Sequence, residues 1–212
     1  MSDITYQQLV ALGACADQLE KFRELFGDST DIKPELAEYA STFDWDWIAR
    51  KTLPASAQAE FERVRSAAQA EYERVIAPEW AEFERVWAGT FLRLHMEQRT
   101  VSTITYQQLA DMGACADQLE KFRELFGDST DIKPELIEYA SAFDWDWIAR
   151  KTLPAPARAE FMRVRNAAWA KFERERDAAW AEFERVCAEA FLRLHTEYCS
   201  GNTHLGANHV VR

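Results

Sequence analysis

The chain has few of the residues that interrupt a helix: seven glycines and six prolines among 212 residues. With so few breakers, and with Ala, Glu, Arg and Leu abundant, helix is the expected main element. No apolar run approaches the roughly 18 residues of a membrane span, so membrane insertion is not expected. The start, Met1 to Tyr6, has no charged-then-apolar leader, and the cytoplasm is the expected location. Cysteine is sparse, at positions 15, 115, 187 and 199, with no C-x-x-C pair. That excludes a disulfide framework and fits reduced thiols. Histidine is sparser in usable places: His95 and His195 end long helical stretches, and His204 and His209 lie near the C-terminus. No zinc spacing, catalytic triad or phosphate-cradling glycine loop is present. No cofactor, no metal and no enzymatic activity are expected. The net charge of −11 excludes a broad basic footprint, so direct nucleic-acid binding is not expected either.

What the chain does have is repetition at two scales. Ala59-Glu60-Phe61-Glu62-Arg63-Val64 returns eleven residues later as Ala70-Glu71-Tyr72-Glu73-Arg74-Val75, and again as Ala81-Glu82-Phe83-Glu84-Arg85-Val86. Eleven residues make three turns at about 3.67 residues per turn, so each aromatic returns to nearly the same face. This hendecad pattern predicts one long amphipathic helix, the arm. At the larger scale, residues 4–95 and 104–195 align without a gap at an offset of one hundred, with 72 of 92 positions identical. Such a period is too long for a solenoid unit and reads as a tandem duplication of a small domain. The fold class expected is all-α: copy one over 1–100 (head 4–53, arm 54–97), copy two over 101–199 (head 104–153, arm 154–197), and a frayed tail over 200–212. Two-fold association is the common outcome for identical units, so the copies should pack as a pseudo-dimer.

Within a head, Thr5 and Gln8 have the spacing of a capping box, opening a short helix that Gly13 stops. A second helix is expected from Ala16 to Phe26, then a polar turn at Asp28 to Asp31. A third starts near Pro34, and a fourth, capped by Asp44, covers Trp45 to Lys51. Fifty residues are few for an independent core, so the head should lean on the base of its arm. A 44-residue arm would be about 66 Å long and would outreach the head. The other arm is the nearest cover for the rest of its apolar stripe, and the arms also allow self-association. The Glu/Arg pairs three residues apart read as a solvated face. The arms differ informatively: Pro78, expected to kink or break the first, is Ala178 in the second. Val75-Ile76-Ala77 becomes Glu175-Arg176-Asp177, Gln69 becomes Trp169, and Trp87 becomes Cys187.

Charge concentrates in the heads. Residues 1–50 hold ten acids and four bases, as do residues 101–150, so these stretches carry −12 and everything else +1. Phe43-Asp44-Trp45-Asp46-Trp47 alternates three aromatics with two carboxylates. Core packing, with Asp44 as a cap, is the first reading; the second is a surface for an Arg- or Lys-bearing partner. Asp28-x-x-Asp31 lacks the glycine and closing glutamate of a calcium loop. Cys15 lies near a helix start, but no head histidine could serve as its base, so a buried structural thiol is expected. The candidate partner-binding residues are Asp28, Asp31, Asp44, Trp45, Asp46 and Trp47, with their equivalents Asp128, Asp131, Asp144, Trp145, Asp146 and Trp147.

The segment Leu9-x-x-Leu12-Gly13-Ala14-Cys15-x-x-Gln18-x-x-x-Phe22-x-x-x-Phe26-Gly27, together with the Ala-Glu-aromatic-Glu-Arg-Val elevens, resembles small uncharacterised proteins encoded by bacteriophages and prophages. No activity comes with that resemblance. It implies an origin in phage–host conflict, where small acidic cofactor-less proteins such as anti-CRISPR proteins inhibit host defence. The expected function is therefore a non-enzymatic acidic protein-binding module with a basic partner, an inhibitor or DNA mimic. The alternative is a scaffold protein acting through its arms.

Overall fold

In the computed structural model, residues 3–98 and 103–200 are described, the side chains of 199 and 200 excepted. The chain is all-α in character, and the duplication is visible element by element. In the first copy β1 (Asp3–Thr5) leads into α1 (Tyr6–Leu12) and α2 (Ala16–Phe26). Next come β2 (Ser29–Asp31), a 3-10 turn (Pro34–Tyr39), α3 (Trp45–Thr52) and the arm α4 (Ala55–Gln98). The second copy repeats the order as β3 (Thr103–Thr105), α5 (Tyr106–Asp111), α6 (Ala116–Phe126), β4 (Ser129–Asp131), a 3-10 stretch (Pro134–Ala142), α7 (Trp145–Thr152) and the arm α8 (Ala155–Ser200).

Local chemistry places these boundaries. The Thr5 hydroxyl accepts from the Gln8 backbone N–H at 3.1 Å, and the Gln8 side chain accepts from the Thr5 N–H at 2.8 Å. That reciprocal box starts α1, and Gly13, in the left-handed region at φ 84°, ends it. Asp44 caps α3 by accepting from the Trp47 N–H at 2.9 Å. Two expectations need correction. The turn expected at Asp28 to Asp31 is largely a strand: Ser29–Asp31 pairs antiparallel with Asp3–Thr5, Ile4 opposite Thr30. Ile4, buried opposite Thr30, fixes the register, and pairing satisfies backbone groups that a turn would leave to water. The helix expected at Pro34 is a single 3-10 stretch. Pro78 does not break the first arm, since α4 runs through it. A proline removes one backbone bond and costs about 3 kcal/mol. Here aromatic contacts anchor the helix on either side, Tyr72 before the proline and Trp80 and Phe83 after it. The C-terminal tail, expected to fray, lies outside the described residues from 201 onward.

Compactness does not follow the repeats. One compact unit is Met1–Val75 with Asp177–Arg212, and the other is Ile76–Arg176. Each thus joins a head, the first half of that head's arm and the second half of the other arm. In the first unit the core gathers Ile4, Leu9, Phe22, Phe43, Trp45 and Ile48 from the head, and Ala57 and Phe61 from the base of α4. The end of α8 completes it with Ala188, Phe191, Leu192 and Leu194. Rings run in contact from Phe22 through Phe43 and Trp45 to Phe191, the last step 5.5 Å between centroids. The head does lean on its arm's base, and it leans equally on the far arm's end. The arms pair antiparallel, with Glu60 near Arg193 and Tyr72 edge-on to Trp180 at 5.6 Å.

The second unit has the same plan. Its core joins Leu109, Phe122, Phe143, Trp145 and Ile148 to Phe161 at the base of α8 and to Ala88, Phe91, Leu92 and Leu94 at the end of α4. Phe91 packs against Trp145, the rings tilted by 37° with centroids 5.4 Å apart. Its arms also run antiparallel, and five rings (Trp80, Phe83, Trp87, Trp169 and Phe172) form one cluster with neighbouring centroids 5.3–6.3 Å apart. Gly89 has a packing reason: a Cβ there would come within 3.3 Å of Ile137 Cδ1. The first copy has Ala37 at the position of Ile137, and the second arm has Glu189 at that of Gly89. A large-for-small exchange in one partner accompanies the reverse in the other.

Two outcomes are expected. Phe91 and Phe191 are fully buried, so Phe91→Ala or Phe191→Ala should each cost about 3–5 kcal/mol, read as a shift of the denaturant midpoint. Residues 91–95 and 191–195 are identical in sequence, so the isolated copy 1–100 carries the helix end that its own head needs but takes from a different chain segment. That fragment should fold as a homodimer with a concentration-dependent melting temperature. A folded monomer by light scattering would contradict the exchange of arm halves.

Candidate functional site

The Phe43–Trp47 run divides by direction. Trp45 and Trp145 are buried in the two cores, and their indole N–H groups donate to the Tyr39 carbonyl at 3.3 Å and the Ala140 carbonyl at 2.9 Å. Trp47 and Trp147 are half-buried. Asp44 and Asp144 are exposed, each with one carboxylate oxygen used as a cap. Asp46 is bound into the protein: Arg50 reaches it at 2.6 Å along α3, and Arg65 from α4 brings Nε to 3.1 Å. Asp146 pairs likewise with Arg150, and with Arg165 at 3.7 Å. In both units the carboxylate Oδ1 and the guanidinium Nε are buried without hydrogen-bond alignment, so the pair holds by charge alone. Of the candidate residues, Asp28, Asp31 and Asp44, with Asp128, Asp131 and Asp144, present carboxylates at the surface.

Beside Asp46 the first unit opens a groove of about 420 Å³, within the size range of ligand sites. Gln18 and Lys21 of α2, the Ala40–Asp46 segment and Arg65 form one side; Trp180, Phe183, Glu184 and Cys187 of α8 form the other. Burial pushes the Cys187 thiol up to about 11, so at neutral pH it is protonated and not a nucleophile. Aromatic walls, a protonated thiol and a charged rim form a surface that can hold a ligand by contact and charge. Among the described residues no group of three or more His, Cys, Asp or Glu is placed to hold a metal ion, and no helix is long and apolar enough to cross a membrane.

Arg65, Trp180, Glu184 and Cys187 escape a reading of the sequence because they come from two helices far apart in the chain. The signal available was the comparison of copies, since Cys187 replaces Trp87, and Thr42, another lining residue, is Ala142 in the second copy. The expectation of a buried Cys15 is overturned: Cys15 and Cys115 are exposed, each the N-cap residue of its helix with no side-chain capping bond. An N-cap residue lies half outside its helix, and both cysteines sit at that boundary on the surface. In a Cys199→Ser background, native protein should show two fast thiols toward a disulfide reagent, and Cys187 should react only on unfolding. Fast reaction of a third thiol would contradict the burial of Cys187.

No known protein family matches the chain, and neither a curated protein nor a solved structure is significantly similar to it.

Proposed function

We propose that the protein is a non-enzymatic acidic protein-binding module whose heads dock on the basic, nucleic-acid-binding surface of a partner. In this reading the protein inhibits a host defence protein in the manner of anti-CRISPR proteins or DNA mimics, an origin suggested by its resemblance to phage and prophage proteins. One observation carries it. Nine of the ten acids in residues 1–50 are exposed, all but Asp46. Of the four bases, Arg23 lies 4.0 Å over the Tyr6 ring and Arg50 is taken by Asp46. A surface so biased attracts and orients a basic partner and repels nucleic acid. Two heads in one chain give avidity toward a repeated target. The heads are favoured over the arms as the contact surface because Phe61, Phe83, Phe161 and Phe172 are already buried within the chain.

The test is capture from a bacterial host lysate on immobilised protein, washed at low and at high salt. A nucleic-acid-binding prey should be retained at low salt, released at high salt and displaced by added DNA or RNA. The quadruple variant Asp28→Lys, Asp31→Lys, Asp128→Lys, Asp131→Lys should lose that prey while keeping its helical circular dichroism. Capture unchanged by the four reversals would refute the acidic-surface reading.

A further inference from the structure

The two units are built to one plan, so each shows what the other's geometry can accept. In the first unit, the groove beside the Asp46–Arg65 pair has Cys187 in its wall. One hundred residues earlier, beside the equivalent Asp146–Arg165 pair, stands Trp87. Its ring packs 5.3 Å from Phe83, with the Arg165 guanidinium 5.5 Å over it. The indole covers the ion pair: the Asp146 side chain is 10% exposed and Arg165 27%, against 21% for Asp46 and 33% for Arg65. With Cys187 in place of Trp87 the pair is less covered and the groove lies beside it; Trp180 at its edge is 45% exposed, much as Trp80 is in the second unit at 40%. The first unit thus has the wall, the cation and the neighbouring rings of an indole site without the indole.

We propose that this groove is a socket for a tryptophan side chain presented by a protein partner, seated as Trp87 is seated in the second unit. The ring lies against Phe183 and Trp180 with Arg65 over its face, an arrangement that gains from area burial and from the cation–π contact. Selection is by ring face rather than by the indole N–H, because the Trp87 Nε1 atom is buried with no hydrogen-bond partner. The rim carries Asp44 and Glu184 against Lys21, which favours a tryptophan flanked by basic residues. That the ring belongs to a basic protein rests on the function proposed above; the socket itself does not.

The test titrates the full chain with a short Lys-Trp-Lys peptide, followed by ligand-observed NMR so that the protein's own tryptophans do not interfere. Its Lys-Leu-Lys counterpart and N-acetyltryptophanamide serve as controls. One saturable equivalent of the tryptophan peptide is expected, with the leucine peptide and the free amide each weaker by roughly tenfold or more. Cys187→Trp should abolish that binding with its melting temperature at or above that of the parent, and Trp87→Cys should add a second equivalent. The second variant keeps the inference testable if the first does not fold. Binding unchanged by Cys187→Trp, equal affinity for the leucine peptide, or no saturable binding at millimolar peptide would overturn the socket. Equal affinity for the free amide would overturn its assignment to a protein partner. If capture from lysate ignores the four charge reversals while the tryptophan peptide still binds, only the acidic-surface reading falls.

Discussion

Everything in this molecule depends on the seating of one phenylalanine on one tryptophan, made twice: Phe191 on Trp45 and Phe91 on Trp145. A fifty-residue head offers little apolar surface to close a core alone, and a two-stranded ribbon is marginal without something packed on it. Each head brings an unbroken aromatic path from the second helix to the tryptophan, and the path ends at a helix whose head lies in the other repeat. The contact therefore couples folding of the head to the presence of both arms. It also explains why sequence repeat and compact unit part company midway along each arm. The long helices follow from the same constraint, because an arm must supply its base to one core and its end to another.

Between those ends the arm has a stripe of rings to hide, and the hendecad spacing decides how. Rings every three turns stay on nearly one face, so two antiparallel arms bring ring against ring. The Glu–Arg pairs on the outer faces add little, since exposed pairs contribute a few tenths of a kcal/mol at most. Burial of Phe61, Phe83, Phe161 and Phe172 is the larger effect by an order of magnitude.

Much of this was legible in the sequence. The capping box at Thr5, the glycine stops, the Asp44 cap and the span of the second helix are local signals set by neighbours three or four residues away, and the structure follows them closely. The long arm was legible because eleven-residue periodicity is a strong repeated signal, strong enough that Pro78 does not interrupt it. The short strands were hidden, since three residues of Ser, Thr and Asp carry little strand propensity and are fixed by a partner twenty-six residues away. The exchange of arm halves was equally hidden: residues 91–95 and 191–195 are identical, so sequence alone gives no reason for a head to prefer one over the other. The groove was out of reach for a related cause, because its walls come from opposite ends of the chain.

Duplication changes what such a fold can do. A homodimer of one copy has two identical units, and any substitution that opens one opens both. Once the copies are covalently joined, each unit can follow its own course. Here the second unit accumulates rings, with Trp87 and Trp169 where the other arm positions have Cys187 and Gln69, and it keeps Gly89 to admit Ile137. The first unit has no indole at either position, and its ion pair is less covered. A tight unit can stabilise the shared helices while the looser unit tolerates a groove beside Asp46. In an obligate pair of identical chains the cost of that groove would be incurred twice, so the asymmetry is a consequence of having both copies in one polypeptide.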